Sequence, residues 1–339
     1  MPIIDIRSDT VTRPSKPMLE AMMNAKVGDD VFGEDETVNA LQEKCAALTG
    51  KQSAIFVPTG VMGNQVAIKS HTQTGDEVIV ESESHIFNYE TAAASVISGV
   101  QLFPVKGNYG VMTADDIKKF IRTKEYYFPV TKLFCLENTH NRAGGTIQPL
   151  DEIKKISILA KENGAKTHLD GARIFNACVE TGITLKEYSK YFDSVSFCFS
   201  KGLGCPVGSI LCGDKLFIET AKKWRKILGG GMRQVGILAA AAIYALDNNI
   251  DRLKKDNEKA KYFAEEINKS DAINVDLKSV QTNIVIFKTN KYSKAEITDK
   301  LKAKGVIISS GSYDNLRAVF HLDVSEDDLL KSIDIIKSL

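Results

Sequence analysis

Short apolar runs alternate along this chain with longer stretches whose apolar residues recur every three or four positions. The runs 53–57, 77–80, 101–105, 132–136, 165–169, 194–199 and 208–212 are five or so residues long and rich in apolar residues, the pattern of strands in a buried sheet. Between them lie amphipathic helices. In 36–48 the residues Val38, Leu41, Cys45 and Leu48 form one face, and Gly50 stands where the helix would stop. Thr113 ahead of Asp115 and Asp116 predicts an N-capped helix over 114–122, and 151–163 ends before Gly164. Longer helices are expected over 214–228 and 232–247, separated by Gly229-Gly230-Gly231. Strand alternating with helix predicts an α/β fold with a mostly parallel central sheet flanked by helices. Past residue 250 the pattern changes to a charged helix (251–268), strands 283–287, 306–309 and 316–320, and helices 294–303 and 325–337. The expected division is a large domain, 1–249, and a smaller α+β domain, 250–339.

Composition narrows the function. The chain has 339 residues with 44 basic and 43 acidic side chains, so no net field attracts nucleic acid or an anionic membrane, and neither is expected as a partner. The longest apolar stretch, Ile237 to Leu246, is too short to span a bilayer, and the charged opening residues do not read as a secretory leader. A reduced, cytoplasmic setting is expected. Six scattered cysteines fit that setting. Cys198, Cys205 and Cys212 fall seven apart with no histidine near, unlike the close pairs of a zinc site, so they are read as core thiols and no metal is expected.

Candidate chemistry gathers where apolar runs end. Lys201 leaves the run Phe197-Cys198-Phe199 into a glycine-rich turn. That is the carboxyl edge of the sheet, where open α/β folds hold ligands, and an apolar setting favours a free amine able to form a Schiff base. A solvated lysine at a strand end gives the same short motif. In His168-Leu169-Asp170-Gly171-Ala172-Arg173, alternation puts His168 and Asp170 on one face. Asp170 suits the ring nitrogen of pyridoxal phosphate, and Arg173 a substrate carboxylate; an N-capping aspartate and a surface arginine are the plain alternative. Thr59 and Gly60 stand at a strand-to-helix turn where backbone N–H groups would cradle a phosphate, although the spacing is neither a Walker nor a dinucleotide pattern. Arg233, after the three glycines, is a second phosphate candidate. His85 follows strand 77–80 and has a flat ring able to stack on a cofactor or move protons. No G-x-S-x-G elbow is present, which argues against a serine hydrolase.

These stretches together resemble the threonine aldolase and β-eliminating lyase family of fold-type I pyridoxal-phosphate enzymes. The matching segments include Asp5–Thr12, Val27–Asp35, Glu137–Asn141, His168–Arg173, Phe199–Leu203 and Gly229–Gln234. The resemblance implies that Lys201 carries pyridoxal 5'-phosphate, Asp170 faces its ring nitrogen and His85 stacks on the ring. It implies a phosphate held by Thr59, Gly60 and Arg233, the last from a neighbouring subunit, and a substrate carboxylate held by Ser8, Arg173 and Arg317. Glu137 and Asn138 would shape the floor. The implied assembly is a homotetramer, a dimer of dimers with shared sites.

The implied reaction is retro-aldol cleavage of L-threonine, L-allo-threonine and related β-hydroxy-α-amino acids to glycine and an aldehyde. β-Elimination and transamination use the same frame and are the rival outcomes; a catalytically silent scaffold is the rival outside enzymology. Two positions depart from the family pattern. Val61 replaces a phosphate-loop threonine, and Tyr127, ten residues before Glu137, replaces a histidine expected to handle the β-hydroxyl. Tyr127 is therefore counted among the catalytic candidates.

Overall fold

The computed structural model describes residues 3–339. After a short strand β1 (Ile4–Asp5) come the seven strands of the main sheet: β2 (Ser53–Val57), β3 (Glu77–Glu81), β4 (Gln101–Val105), β5 (Thr131–Glu137), β6 (Lys166–Asp170), β7 (Ser194–Cys198) and β8 (Ser209–Gly213). Their spatial order is β2-β8-β7-β6-β5-β3-β4. Pairings β4–β3–β5–β6–β7 are parallel, while β8 runs antiparallel to both β7 and β2. The mostly parallel sheet expected from the sequence is present, with β8 its reversed member. Only ten residues join β7 to β8, too few for a crossover helix.

Strands β3, β7 and β8 are buried at every position, which explains why they are rich in apolar and small residues with no exposed polar face. Helices cover the faces. Glu36–Thr49 is capped by Asp35, whose side chain accepts from the Val38 amide, and ends at Gly50 in the left-handed region (φ 67°). Gly60–His71 is capped by Thr59 and Leu150–Glu162 packs against β6. The helix expected over 114–122 spans only Ala114–Lys118, closed by a reciprocal Thr113–Asp116 capping box.

The C-terminal part has its own core. Strands β9 (Ile273–Val275), β10 (Ile284–Thr289), β12 (Ser309–Ser310) and β13 (Leu316–Val319) form an antiparallel sheet ordered β12-β13-β10-β9. Helices Leu253–Ile267 and Glu326–Lys337 are part of this unit, whose core includes Phe263, Phe287 and Phe320. The run expected as one strand over 306–309 is two short ones, because β11 (Val306–Ile307) turns away to pair with β1. Ile4 and Ile6 consequently sit in the C-terminal core. The chain's start is thereby tied to the smaller unit, and the next residues, Ser8 and Asp9, lie between the two cores.

Candidate active site

Parallel strands bring their carboxyl ends to one edge, and the chemistry-bearing residues follow those ends. A cavity of about 260 Å³ opens there, lined among others by Thr59, His85, Glu137, Asp170, Arg173 and Lys201. Lys201 leaves β7 after Ser200, and its Nζ lies 3.5 Å from Cys198 Sγ with no carboxylate paired to it. An amine on the cavity wall with only a thiol beside it is free to react.

Asp170, at the end of β6, is buried, with Oδ2 accepting from Asn64 Nδ2 at 2.7 Å and Oδ1 from the Ala172 amide at 3.1 Å. His85 lines the wall. Its backbone N–H donates to Glu137 Oε2 at 2.6 Å and its Nδ1 meets Glu90 Oε1 at 2.8 Å. Burial alone would lower the His85 pKa, but the Glu90 hydrogen bond, with Asp170 and Glu137 nearby, raises it above the ordinary value. Polar atoms of His85, Glu90 and Asp170 all fall within 4.8 Å of one another.

The helix Gly60–His71 aims its amino end at the cavity. Thr59 Oγ1 accepts from the Met62 amide at 3.1 Å, leaving the first N–H groups without an intrahelical acceptor. A Cβ at Gly60 would stand 2.8 Å from Cys198 Sγ, so the close approach of helix and strand requires glycine here.

Arg173 is buried, and its Nε and Nη2 grip Asp9 at 2.6 and 2.7 Å. The side-on fork that the sequence assigns to a substrate is occupied by Asp9; the Nη1 end, 3.3 Å from Asn141 Oδ1, is what remains toward the cavity. Asp9 is fully buried. Burial would raise its pKa, yet the charge and hydrogen bonds of Arg173 hold it well below the usual carboxylate range. Arg317 comes from β13 of the smaller unit. Its Nε is buried without a hydrogen-bond partner among the described residues, and burial, with Arg173 adding to it, pulls its pKa down to about 10. Ser8, beside Asp9, accepts from the Thr10 amide and hydroxyl at 3.2 and 2.8 Å.

Ser8 and Arg317 thus stand near the Asp9–Arg173 pair and not on the cavity wall itself, and two further candidates lie elsewhere. Arg233 is exposed and paired with Asp29 at 2.9 Å, outside the cavity of its own chain. Tyr127 is 63% exposed on the loop that precedes β5, its ring against Tyr126 and Phe128. That loop is pinned to the amino ends of the strands, where Arg122 pairs with Glu77 at 3.2 Å and lies over the Phe128 ring. Seven strand residues at about 3.3 Å each separate it from the carboxyl edge, roughly 20 Å. Tyr127 therefore does not meet the cavity of its own chain, and the catalytic role expected of it is corrected to that extent. Cys198, read as a core thiol, is buried and outside any disulfide, and it also lines the cavity beside Lys201. Sequence reasoning missed Asn64, Glu90 and Asp9. The one signal for Asn64 was an amide among apolar residues a turn past Thr59.

Residues 5–290 match the model of the beta-eliminating lyase family. The chain belongs to this family. Among beta-eliminating lyase relatives, the low specificity L-threonine aldolase of Escherichia coli K12 is 45% identical over 96% of each chain. Low-specificity L-threonine aldolase 1 of Arabidopsis thaliana is 41% identical over 96% of this chain and 93% of its own. In three dimensions the threonine aldolase of Leishmania major superposes with a TM-score of 0.84, at 19% identity and 99% coverage of both chains, a likeness of fold. This beta-eliminating lyase is a pyridoxal-phosphate enzyme, and the site fits that group. It offers an amine without an ionic partner, a buried carboxylate, a glycine-opened helix terminus, and a buried guanidinium nitrogen awaiting an anion.

Proposed function

We propose that this chain cleaves L-threonine, L-allo-threonine and related β-hydroxy-α-amino acids to glycine and the matching aldehyde, acetaldehyde in the case of threonine. The observation that carries the reading is the unpartnered Arg317 guanidinium beside the Arg173–Asp9 pair, a carboxylate site next to the cavity that holds Lys201. Lys201 would hold the cofactor covalently at Nζ, Asp170 would face its ring nitrogen, His85 its ring, and Thr59 with Gly60 its phosphate. Bound pyridoxal phosphate supplies a ring that accepts the electron pair left when the Cα–Cβ bond breaks.

The protein's own groups do the rest. Arg317, with Ser8 and the Nη1 end of Arg173, fixes the substrate carboxylate and so sets which bond at Cα stands ready to break. His85 gives its Nδ1 proton to the hydrogen bond with Glu90, which leaves Nε2 with the lone pair that takes the β-hydroxyl proton. Glu137 holds the His85 backbone in place.

Two features point to a second copy of the chain. Arg233 and Tyr127 stand outside their own cavity on exposed segments, and the reading adopted here is a homotetramer in which a neighbour supplies Arg233 to the phosphate. We also take 1–249 as the cofactor-binding domain and 250–339 as the smaller domain, with β1 lent to the latter. Among the described residues no helix is long and apolar enough to cross a membrane; a cytoplasmic location belongs to this proposal. Product analysis tests the reaction: purified protein given L-threonine or L-allo-threonine should release glycine and acetaldehyde. Release of a keto acid and ammonia instead would replace the aldol reading with β-elimination.

A further inference from the structure

Asn64 sits on the first turns of the helix Gly60–His71, buried, between the Asp170 and Glu90 carboxylates of the site and a line of polar groups, His168, Ser194 and His71, that the proposed chemistry does not use. Its Nδ2 donates to two carboxylates, Asp170 Oδ2 at 2.7 Å and Glu90 Oε1 at 2.8 Å. Glu90 Oε1 also receives His85 Nδ1, and its Oε2 accepts from Gln65 Nε2 at 2.5 Å. The opposite orientation of the amide would point its oxygen at both carboxylates, so this one is forced.

That orientation dictates everything behind it. Asn64 Oδ1 can only accept, and it does so from Ser196 Oγ at 3.0 Å and His168 Nε2 at 3.2 Å. His168 therefore carries its proton on Nε2. Its Nδ1, 2.9 Å from Ser194 Oγ, is the acceptor of that hydroxyl, and Ser194 Oγ in turn accepts from His71 Nε2 at 2.8 Å. Burial holds both imidazoles neutral, lowering the pKa of His71 to about 3 and of His168 to about 4. Every donor in the series His71, Ser194, His168, Asn64 points toward Asp170.

We propose that Asn64 is a positioning residue for the reaction: its amide, oriented from behind by His168 and Ser196, fixes the Asp170 carboxylate against the edge of the cofactor ring and locks it to the Glu90–His85 pair that addresses the ring face. The inference rests on the reading that pyridoxal phosphate lies against Asp170. One NH₂ group sets both directions, so its loss disturbs the ring's edge contact and face contact together. The Ala172 amide holds Oδ1 and Asn64 is the side-chain donor on Oδ2, and a carboxylate held by such fixed donors keeps its aim without cost at the moment of reaction.

The test is Asn64→Leu, close in shape and unable to donate. Loss of a buried hydrogen bond to a charged group predicts cofactor affinity weakened about ten- to a hundredfold and kcat reduced to a similar extent. The KM for L-threonine should stay within about threefold of wild type, because Asn64 does not reach the substrate carboxylate. The absorption band of the bound cofactor should shift. His168→Gln and Ser196→Ala, which leave Asn64 in place but loosen it, should show the same spectral shift in smaller measure, and they serve if Asn64→Leu does not fold. In the apoprotein, ¹⁵N NMR should find His168 neutral with its proton on Nε2 at pH 6. An unchanged spectrum, cofactor affinity and kcat in Asn64→Leu, with only a lowered Tm, overturns the proposal, as does a His168 proton on Nδ1. Failure of the underlying reading looks different: borohydride reduction of wild-type protein would then leave no cofactor mass on Lys201, whatever the NMR of the apoprotein shows.

Discussion

Three side chains have consequences that differ in kind. Lys201→Ala removes the one amine among the described residues that line the cavity, and turnover should fall by several decades while the fold, followed by circular dichroism, is retained. Arg317→Ala should raise KM and lower kcat together, since its carboxylate contact both binds and orients; Arg317→Lys should rescue poorly because an ammonium cannot present a fork. An unchanged KM in both would make Arg317 structural. Asp9 is the stability case. Paired with buried Arg173, its carboxyl has a folded pKa below the unfolded value of about 4, so the pair stabilises fully above that pH. The contribution is lost as pH falls below about 4 toward the folded pKa. Asp9→Asn should cost about 3–5 kcal/mol at pH 7, by leaving a buried cation unpaired. The gap between the two proteins in denaturant titrations should narrow as pH falls below 4.

At the scale of elements, the amino end of helix Gly60–His71 and the end of β7 are built around each other. Gly60→Ala would push a Cβ to 2.8 Å from Cys198 Sγ, and the helix terminus must withdraw from the phosphate position. Cofactor affinity, measured by equilibrium dialysis, should weaken about tenfold, and adding Cys198→Ala should restore much of it; such non-additivity is what contact predicts. A second element-level effect is pH dependence. The strand-end partners of His85 raise its pKa, so kcat/KM should climb as pH rises through a value above 6.5 and Nε2 gives up its proton. Glu90→Gln removes the negative charge on the acceptor of that hydrogen bond, and the rising limb should move to lower pH. A limb that stays put would show that some other group takes the β-hydroxyl proton.

For the whole molecule the proposed assembly governs two exposed residues. A single copy leaves Arg233 beside Asp29 and Tyr127 at the far edge of the sheet. If sites are shared, mixing Lys201→Ala with Arg233→Ala should regain activity that neither parent shows, because each mixed pair of chains contains one intact site. Equilibrium sedimentation should find tetramers. Tyr127→His should change the preference between L-threonine and L-allo-threonine only by acting on a neighbour's cavity, so in a variant reduced to monomers it should have no effect on the ratio.

The pattern of the chain was enough to determine the main sheet, most of its helices and the smaller C-terminal unit, because strands buried on both faces and half-buried helices leave unmistakable periods. It also marked Lys201, Asp170, His85 and Gly60, since each sits where an apolar run stops, and in parallel strands such ends share one edge. What the chain could not announce was which side chains close on one another across sequence. Asp9 and Arg173 are 164 positions apart, and Asn64 meets Asp170 across 106. Only the packing of β1 into the C-terminal core and of a helix over β6 brings those pairs together. Arg317 reads the same on a strand whether or not anything answers its charge; burial beside Arg173, with Nε unanswered among the described residues, is what makes it a candidate for holding an anion. For Tyr127 the sequence held the clue, as a residue that precedes a parallel strand lies at the edge away from the ligand. Reading it needed the strand's direction as well as its position, and that direction is set by the neighbours with which the strand pairs.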